Sequence, residues 1–338
     1  MTDKFVGYLA KSAGAKFEKA EFEAGPLHPE HVEIDIKYGG VCHSDLSMWD
    51  NEWGISQYPF IGGHEAVGTI CRIGDQVKNL KVGQTVGVGW NVESCMHCQS
   101  CMSGSHQMCP TVQPTIVHHH GGFANKLRAH WGWTIPLPEG VDPSSAGPLM
   151  CGGITVFSPL YENDIRPTDR VGVIGIGGLG HMALKFLNAW GCEVTAFTSN
   201  PSKFEEAKRL GAHKVLATHD KEALSKAASS FEMILVTANA PLEWDALINC
   251  LTPNGRLHIV GAVTEPIPLK VPQLISRGAS VSASPTGSPS VITKMLEFAG
   301  RHKLAPQVEH FPMSKINEAF DHLKSGKARY RIVLDADF

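Results

Sequence analysis

The stretch Arg170–Trp190, RVGVIGIGGLGHMALKFLNAW, decides the fold of this chain. It starts with an apolar run from Val171 to Ile174, passes through a glycine-rich turn and continues as a helix-forming run that Gly191 ends. A buried strand, a glycine turn and a helix in this order are typical of the first βαβ unit of a dinucleotide-binding sheet. We therefore expect a nucleotide-binding domain around this stretch.

The turn fits the pattern G-x-G-x-x-G, and each glycine of the pattern has a predicted role. The first allows a tight turn, the second lets the backbone approach a pyrophosphate, and the third allows close packing of helix on strand. The N-terminus of the helix then faces the anion. The predicted pyrophosphate-binding residues are Gly175, Gly177, Gly178, Leu179 and Gly180.

Strands and helices alternate downstream of the turn. The runs EVTAFT, HKVLA, EMILVTA, GRLHIVGA and SVSAS read as strands, which with the first makes six strands between residues 171 and 284. This alternation predicts an α/β fold with a doubly wound parallel sheet. We assign residues 153–288 to this Rossmann domain.

The sequence before residue 153 has a different character. Short alternating runs such as HVEIDIKYGGV, EAVGTICRIG and QTVGVGW are separated by Gly and Pro, which predicts a β-rich barrel or sandwich. After residue 288, two helical runs lead to a terminal strand, YRIVLDADF. If that strand returns to the first domain, the β-rich domain is discontinuous and comprises residues 1–152 and 289–338.

The bulk composition excludes several classes of function. The chain has 338 residues, 43% hydrophobic residues and a formal net charge of −3. No global basic field exists to hold nucleic acid or an anionic membrane surface. We see no signal peptide and no run of about 18 apolar residues, so we expect a cytoplasmic protein without a transmembrane helix.

The end of the second Rossmann strand predicts which dinucleotide is bound. NAD sites place an acidic residue about 20 residues after the glycine turn to bind the ribose 2′-hydroxyl. This sequence has Thr198, Ser199 and Asn200 there, with Lys203 following. Hydroxyl groups and a cation suit a 2′-phosphate, so we expect NADP(H).

Four of the nine cysteines lie in the run CMHCQSCMSGSHQMCP, from Cys95 to Pro110. The spacing C-x2-C-x2-C-x7-C followed by proline is compatible with an iron–sulfur cluster or with a closed zinc site. An odd number of cysteines in a long chain argues against a disulfide framework. A zinc-finger module or a redox carrier built on this run is therefore one alternative function.

A second set of possible metal ligands precedes the glycine turn: Cys42 in GVCHSDL, His64 and Glu65 in GGHEAVG, and Cys151 in GPLMCGGITV. With the glycine turn and the four-cysteine run, these motifs resemble the zinc-dependent medium-chain alcohol dehydrogenases over essentially the whole chain. The runs CHSDLSM, NEWGISQYP, AGPLMCGGITVF and GKARYRIVL are most similar to the cinnamyl-alcohol-dehydrogenase class and its bacterial NADPH-dependent aldehyde reductases.

The resemblance implies two Zn²⁺ per chain and a GroES-like catalytic domain. It implies a catalytic zinc held by Cys42, His64 and Cys151, with Glu65 beside the metal and Asp45 bonded to the far ring nitrogen of His64. It also implies a structural zinc, whose ligands are Cys95, Cys98, Cys101 and Cys109. A zinc-free quinone reductase of the same superfamily is a nearer alternative, but such proteins lack both cysteine sets.

The resemblance further implies a proton relay that starts at Ser44. Relatives extend this relay to a histidine where this sequence has Ser47, so the outer part of the relay is open, with His43 as one candidate. Thr155, Val260 and Gly261 are expected at the nicotinamide. Either Arg329 or Arg331 is expected at a cofactor phosphate.

The implied substrate is an aldehyde or a primary alcohol, bound in a mainly aromatic pocket. Its expected residues are Trp53, Tyr58, Trp90, Pro285 and Thr286. The run His118–His120 is expected to be solvated in a loop. The class also implies an oligomer: a homodimer formed through the edges of the Rossmann sheets is expected, and tetramers, which occur in relatives, are the alternative.

Overall fold

The computed structural model describes residues 3–338. They form two compact units. The β-rich unit comprises the described residues up to Ile154 together with Thr286–Phe338, and the Rossmann unit comprises Thr155–Pro285.

Residues 3–338 contain both strands and helices, most of them short and each numbered in chain order. The strands are β1 Lys4–Leu9, β2 Glu18–Glu23, β3 His31–Val41, β4 Ala66–Ile73, β5 Thr85–Val88, β6 Asn91–Glu93, β7 Gln113–Pro114, β8 Lys126–His130, β9 Ile135–Pro136, β10 Arg170–Ile174, β11 Glu193–Thr198, β12 Lys214–Ala217, β13 Phe231–Val236, β14 Leu251–Ile259, β15 Ser280–Ala283, β16 Val308–Pro312 and β17 Arg331–Asp335. The α-helices are α1 His43–Trp49, α2 Gln99–Met102, α3 Pro143–Ala146, α4 Gly152–Glu162, α5 Gly180–Trp190, α6 Phe204–Arg209, α7 Lys221–Lys226, α8 Trp244–Cys250, α9 Val271–Arg277, α10 Pro289–His302 and α11 Ile316–Lys324. Within these residues, none of the helices has the length and apolar character needed to cross a bilayer.

The Rossmann unit is built on one parallel sheet of six strands in the order β12-β11-β10-β13-β14-β15. β10, the strand before the glycine turn, lies between β11 and β13, and almost all of its residues are buried. Helix α5 follows the turn and ends at Gly191, whose φ of 106° is a left-handed conformation that glycine adopts readily. The predicted doubly wound α/β fold is confirmed.

The β-rich unit contains a seven-stranded sheet whose main path is β16-β17-β3-β4-β5-β9, with β8 also paired to β3. Strand β3 runs antiparallel to β4 and to β17. The C-terminal strand β17 therefore lies beside β3, although almost 300 residues separate them in the sequence. This pairing positions the residues of the candidate site.

Aromatic residues pack the interior of the β-rich unit. Phe17 stacks on Trp49 of α1, and its ring centroid lies 4.8 Å from that of Phe320 in α11. Phe123 meets both Phe17 and Phe320 edge to face. These contacts hold α1, which begins directly after Cys42, against the C-terminal helix.

A buried ion network crosses the same sheet. Glu33 of β3 is only 1% exposed and accepts hydrogen bonds from Arg128 Nη2 at 2.7 Å and from Lys126 Nζ at 2.8 Å. Both cations lie on β8, the strand paired with β3. Removing one partner of a buried pair leaves an uncompensated charge, so this network contributes to the pairing of the two strands.

Candidate active site: two cysteine clusters and a glycine turn

The dispersed ligand residues meet at one end of the β3–β4–β17 sheet. Cys42 directly follows β3 and is the N-cap residue of α1, and Glu65 directly precedes β4. Cys151 lies between a 3₁₀ turn and α4. The antiparallel pairing brings the end of β3 beside the start of β4, so residues distant in sequence become neighbours.

Four candidate ligand atoms lie within 4.8 Å of one another, one each from Cys42, His64, Glu65 and Cys151. His64 Nε2 lies 3.2 Å from Cys151 Sγ. The hydrogen bond between the two thiols lowers the pKa of Cys42 well below its usual value and raises that of Cys151. Two sulfurs and one imidazole are a donor set that suits zinc.

Asp45 holds this cluster in place. Its Oδ1 lies 3.1 Å from His64 Nδ1 and accepts the Gly63 N–H at 2.8 Å, while its Oδ2 accepts the Cys42 N–H at 2.9 Å. When Nδ1 carries the ring proton and donates it to Asp45, the Nε2 lone pair is available to a metal. The carboxylate thus orients two of the candidate ligands.

The two serines after Cys42 differ in their surroundings. Ser44 Oγ lies 3.9 Å from Cys42 Sγ and is half-buried. Ser47 is 2% exposed, and its hydroxyl donates to Glu52 Oε2 at 2.6 Å. The Ser47 hydroxyl is therefore engaged as a hydrogen-bond donor to a carboxylate.

Arg331 occupies a place that the sequence did not predict. It is 5% exposed, and its Nη2 donates to Oε1 of the fully buried Glu65. The Arg331 guanidinium is thus paired inside the β-rich unit, whereas Arg329 is exposed. A contact of either arginine with a cofactor phosphate stays a prediction.

Of the two carboxylate oxygens of Glu65, Oε1 accepts the hydrogen bond from Arg331. The other, Oε2, has no hydrogen-bond partner among the described residues. Burial raises the pKa of Glu65 to about 7, although the charge of Arg331 acts in the opposite direction. An unpartnered carboxylate oxygen within a cluster of sulfur and nitrogen donors is a position that a cation would satisfy.

The four cysteines of the second set also converge. Their Sγ atoms lie within 4.8 Å of one another, with Cys101 and Cys109 buried and Cys95 and Cys98 half-buried. The amides of His97 and Cys98 lower the pKa of Cys95, and the Cys98 N–H donates to its sulfur at 3.3 Å. This arrangement is a closed four-thiol site.

Two of the expected pocket residues lie beside the first cluster. The Trp90 ring contacts that of His64 edge to face at 5.0 Å, and Trp53 contacts Trp90 at 6.1 Å. Tyr58 is bonded through its hydroxyl to the carbonyl of Trp49 at 2.9 Å. Pro285 is exposed and Thr286 is half-buried.

The glycine turn has the geometry that each glycine role requires. Gly175 has a φ of 90°, and a Cβ on Gly180 would lie 1.9 Å from the Gly175 carbonyl oxygen. A Cβ on Gly177 would meet nothing within 4 Å. The backbone therefore passes an open space at Gly177, where a pyrophosphate could approach.

The residues expected at the 2′-position lie close to this turn. Thr198 ends β11, Ser199 is exposed, and the Lys203 ammonium donates to the Ile176 carbonyl at 2.8 Å. The sequence did not predict this last contact. It places a cation directly on the glycine turn.

Three further expected residues have more ordinary surroundings. Val260 and Gly261 both donate their N–H groups to the Val236 carbonyl, at 3.0 and 3.1 Å, so a ligand there would use other atoms. Thr155 is half-buried on α4, between buried neighbours.

In the histidine run His118–His120, the first and last residues are exposed and His119 lies 3.2 Å from the Thr115 carbonyl.

A parallel sheet with this glycine turn, together with a buried set of two cysteines and one histidine, defines the class as a metal-binding, dinucleotide-dependent dehydrogenase. Two family models agree with that class. The alcohol dehydrogenase GroES-like domain matches residues 28–139, and the zinc-binding dehydrogenase domain matches residues 178–301.

Curated relatives and solved structures cover nearly the whole chain. An aldehyde reductase, AdhA, from Synechocystis sp. is 51% identical over 327 residues, which is 97% of each chain. A cinnamyl alcohol dehydrogenase from Sorghum bicolor matches with a TM-score of 0.94 at 35% identity over 98% of both chains. The CAD from Helicobacter pylori, solved in complex with NADP(H), matches with a TM-score of 0.91 at 31% identity over 99% of both chains. The chain belongs to the zinc-binding alcohol dehydrogenase family, and the resemblance seen in the sequence is confirmed.

The glycine turn generates a test with a matched pair of variants. Gly180→Ala would push a methyl group into the Gly175 carbonyl oxygen, so we expect a loss of about 2 kcal/mol in the free energy of unfolding. Gly177→Ala places its methyl in open space and should change the free energy of unfolding by less than about 0.5 kcal/mol.

NADPH binding should be weakened in Gly177→Ala, the variant whose stability is expected to stay unchanged. Gly177→Ala should weaken NADPH binding by about 10-fold or more in a fluorescence titration, because its methyl fills the approach of the pyrophosphate. Unfolding in urea supplies the stability values. Unaltered NADPH affinity in the stable Gly177→Ala protein would show that the pyrophosphate lies elsewhere.

Proposed function

We propose that this protein transfers a hydride reversibly between NADPH and an aldehyde/primary-alcohol pair, acting mainly as a broad-specificity aldehyde reductase. The observation that carries the proposal is the buried cluster of Cys42, His64 and Cys151 in one chain with the Gly175–Gly180 turn. The names of relatives support it: an aldehyde reductase and cinnamyl alcohol dehydrogenases.

Cys42, His64 and Cys151 are the proposed ligands of a catalytic zinc. Three protein ligands leave a fourth position open, as catalytic zinc requires. Zinc bound there supplies a Lewis acid for a carbonyl oxygen. Asp45 contacts the His64 ring at Nδ1, and Ser44, whose Oγ lies 3.9 Å from Cys42 Sγ, is the proposed donor of a proton to the alcohol oxygen.

Cys95, Cys98, Cys101 and Cys109 are the proposed ligands of a second, structural zinc. Four thiolates complete a tetrahedron and leave no position for a substrate. All nine cysteines are free thiols in the structure. Because the proposed ligands must stay reduced, we infer a reducing compartment such as the cytoplasm.

NADP(H) is the proposed dinucleotide, bound at the glycine turn from Gly175 to Gly180. Thr198 and Ser199 offer hydroxyl groups to a 2′-phosphate, and Lys203 supplies a cation beside the turn. A relative solved with NADP(H) supports the choice. Thr155, Val260 and Gly261 stay the proposed nicotinamide contacts, and Arg329 a proposed phosphate contact.

The proposed substrate pocket is aromatic. Trp90 and Trp53 form a continuous ring contact that starts at His64, which would exclude water from the metal. Tyr58, Pro285 and Thr286 are proposed to complete the lining. None of these proposed lining residues is a Lys or an Arg that could pair with a charged substrate, so the pocket suits neutral aldehydes better than charged ones.

We also propose that the functional form is a homodimer joined at β15. Within residues 3–338, β14 is the only strand paired with β15, which leaves one edge of the sheet open. Val271 and Ile275 lie four residues apart on the neighbouring helix α9 and are 60% and 74% exposed. A second copy pairing its own β15 with this edge would cover both side chains.

Two cysteine variants separate the proposed metal roles. Cys151→Ser should leave the protein folded with one zinc per chain and lower kcat/KM for an aldehyde by about 1,000-fold or more, because the catalytic ion is lost. Cys98→Ser should lower thermal stability, and any loss of turnover should follow from that loss of stability. Metal analysis with steady-state rates for an aldehyde panel with NADPH checks both expectations.

Either of two results would contradict these assignments. Iron with visible absorbance in the wild-type protein would exclude the zinc assignment. A fully stable Cys98→Ser protein that loses only turnover would exclude a structural role for the four-cysteine site.

A charge change tests the choice of dinucleotide. Ser199→Asp places a carboxylate that repels a 2′-phosphate and can bind a 2′-hydroxyl, so the ratio of kcat/KM for NADPH over NADH should fall by about 100-fold. Ser225→Asp adds the same charge to α7 and should leave the ratio unchanged. A wild-type preference for NADH would overturn the proposal.

The dimer is tested by removing the exposed apolar contact. Ile275→Glu should give monomers at micromolar concentration in sedimentation velocity, because the charge would be buried against a second copy. Val82→Glu changes another exposed apolar residue and should stay dimeric. An Ile275→Glu protein that is as dimeric as the wild type would place the interface elsewhere.

A further inference from the structure

The register of the central sheet places Arg331 and Glu65 on either side of the end of β3. Val41 is paired with Ile332, so Arg331 lies opposite Cys42 when the same antiparallel register continues by one residue. Gly39 is paired with Ala66, so Glu65 lies opposite Gly40 by the same step. Arg331 and Glu65 thus flank the end of β3, directly before Cys42.

Contacts with β3 hold the Arg331 side chain and the Glu65 backbone in place. Arg331 Nη2 lies 3.4 Å from the Val41 carbonyl as well as donating to Glu65 Oε1. The Gly40 N–H donates to the Glu65 carbonyl at 2.8 Å. A Cβ on Gly40 would lie 2.1 Å from Glu65 Oε2, so the absence of a side chain there makes room for the carboxylate.

The buried Glu65 carboxylate needs a counter-charge, and Arg331 supplies it. Cys42, Cys151 and Asp45 add further negative charge to the same buried place when they are ionised, and a divalent ion at the cluster would offset part of it. Buried charge is tolerated only when it is paired, so loss of Arg331 would leave Glu65 with the metal as its only available counter-charge.

We propose that Arg331 is a positioning residue that holds Glu65 Oε1 and so keeps the carboxylate from closing the fourth position of the metal. Only one of the two carboxylate oxygens is bonded, and the same carboxylate lies in the ligand cluster. Arg331 therefore sets how often Glu65 replaces the exchangeable ligand and how fast the ion leaves. The inference rests on the proposed zinc site.

Metal exchange is the readout, because it does not depend on turnover. The transfer of zinc to a coloured chelator would be followed over time for the wild type and for Arg331→Met. The kinetic phase that is missing from the same measurement on Cys151→Ser is the one that reports zinc leaving this cluster. In Arg331→Met the freed carboxylate becomes a fourth ligand, so we expect this phase to slow by about 10-fold or more.

A double-mutant cycle tests whether Arg331 acts through Glu65. In the Glu65→Gln background, Arg331→Met should change the exchange rate by less than about 2-fold, because no carboxylate is left to move. Arg331→Lys keeps the charge and should exchange zinc within about 3-fold of the wild type. If Arg331→Met does not fold, Arg331→Gln in the same cycle supplies the uncharged variant.

Cobalt substitution gives an independent spectroscopic test. The visible spectrum of Co²⁺ at this site reports its ligands and their geometry. It should differ between Arg331→Met and the wild type, and it should return toward the wild-type spectrum in the variant that also carries Glu65→Gln.

Arg128→Met removes another buried arginine paired with a carboxylate in the same unit, and it serves as the control. It should lower stability without changing metal exchange. Zinc-loaded Arg331→Met with wild-type or faster exchange would overturn the inference while leaving the proposed function intact. A wild-type protein that binds no zinc at the Cys42 cluster would overturn both.

Discussion

The pairing of β3 with β4 on one side and with β17 on the other is the constraint on which the candidate active site depends. The first pair brings His64 and Glu65 to the end of β3, and the second brings Arg331 there from the far end of the chain. A shift of either register by one residue would turn the side chains to the opposite face of the sheet. The buried Glu33 network and the aromatic contacts of α1 contribute to the stability of the same unit, away from the ligand side chains themselves.

The electrostatics of this end of the sheet follow from its burial. Two thiols, two carboxylates and an imidazole lie together with little access to water, and each needs a partner. Asp45 is satisfied by His64 and by two backbone N–H groups, so it orients the ligand ring and does not compete for a metal. Glu65 is satisfied by Arg331 at one oxygen only. The difference explains why two carboxylates beside one histidine can have different roles.

The Rossmann sheet and its glycine turn could be predicted from the sequence because the relevant information lies in consecutive residues. Gly175, Gly177 and Gly180 lie within six consecutive residues, and Gly180 packs on the Gly175 carbonyl, whereas the close approach of Gly175 to Ala238 depends on the wider fold. The grouping of Cys42, His64 and Cys151 could be predicted only through resemblance to a family, since a single buried cysteine or histidine has no local signature. The pairing of Arg331 with Glu65 could not be predicted, because the two residues are 266 positions apart and their contact depends on strand register. The one local signal was a cation at the start of the strongly apolar strand RIVLD, where a buried partner is required.

The two cysteine clusters therefore depend on the fold to different degrees. Cys95, Cys98, Cys101 and Cys109 lie within 15 residues, so a loop and one short helix are enough to bring their sulfurs together. Cys42, His64 and Cys151 come from separate parts of the chain and meet only when the sheet of the β-rich unit is complete. The cluster that is most conspicuous in the sequence is the one that the rest of the fold constrains least. The Cys42 cluster, the proposed catalytic site, lies where several strands must pair in register, which fixes the geometry of its side chains and brings Arg331, on the last strand, beside them.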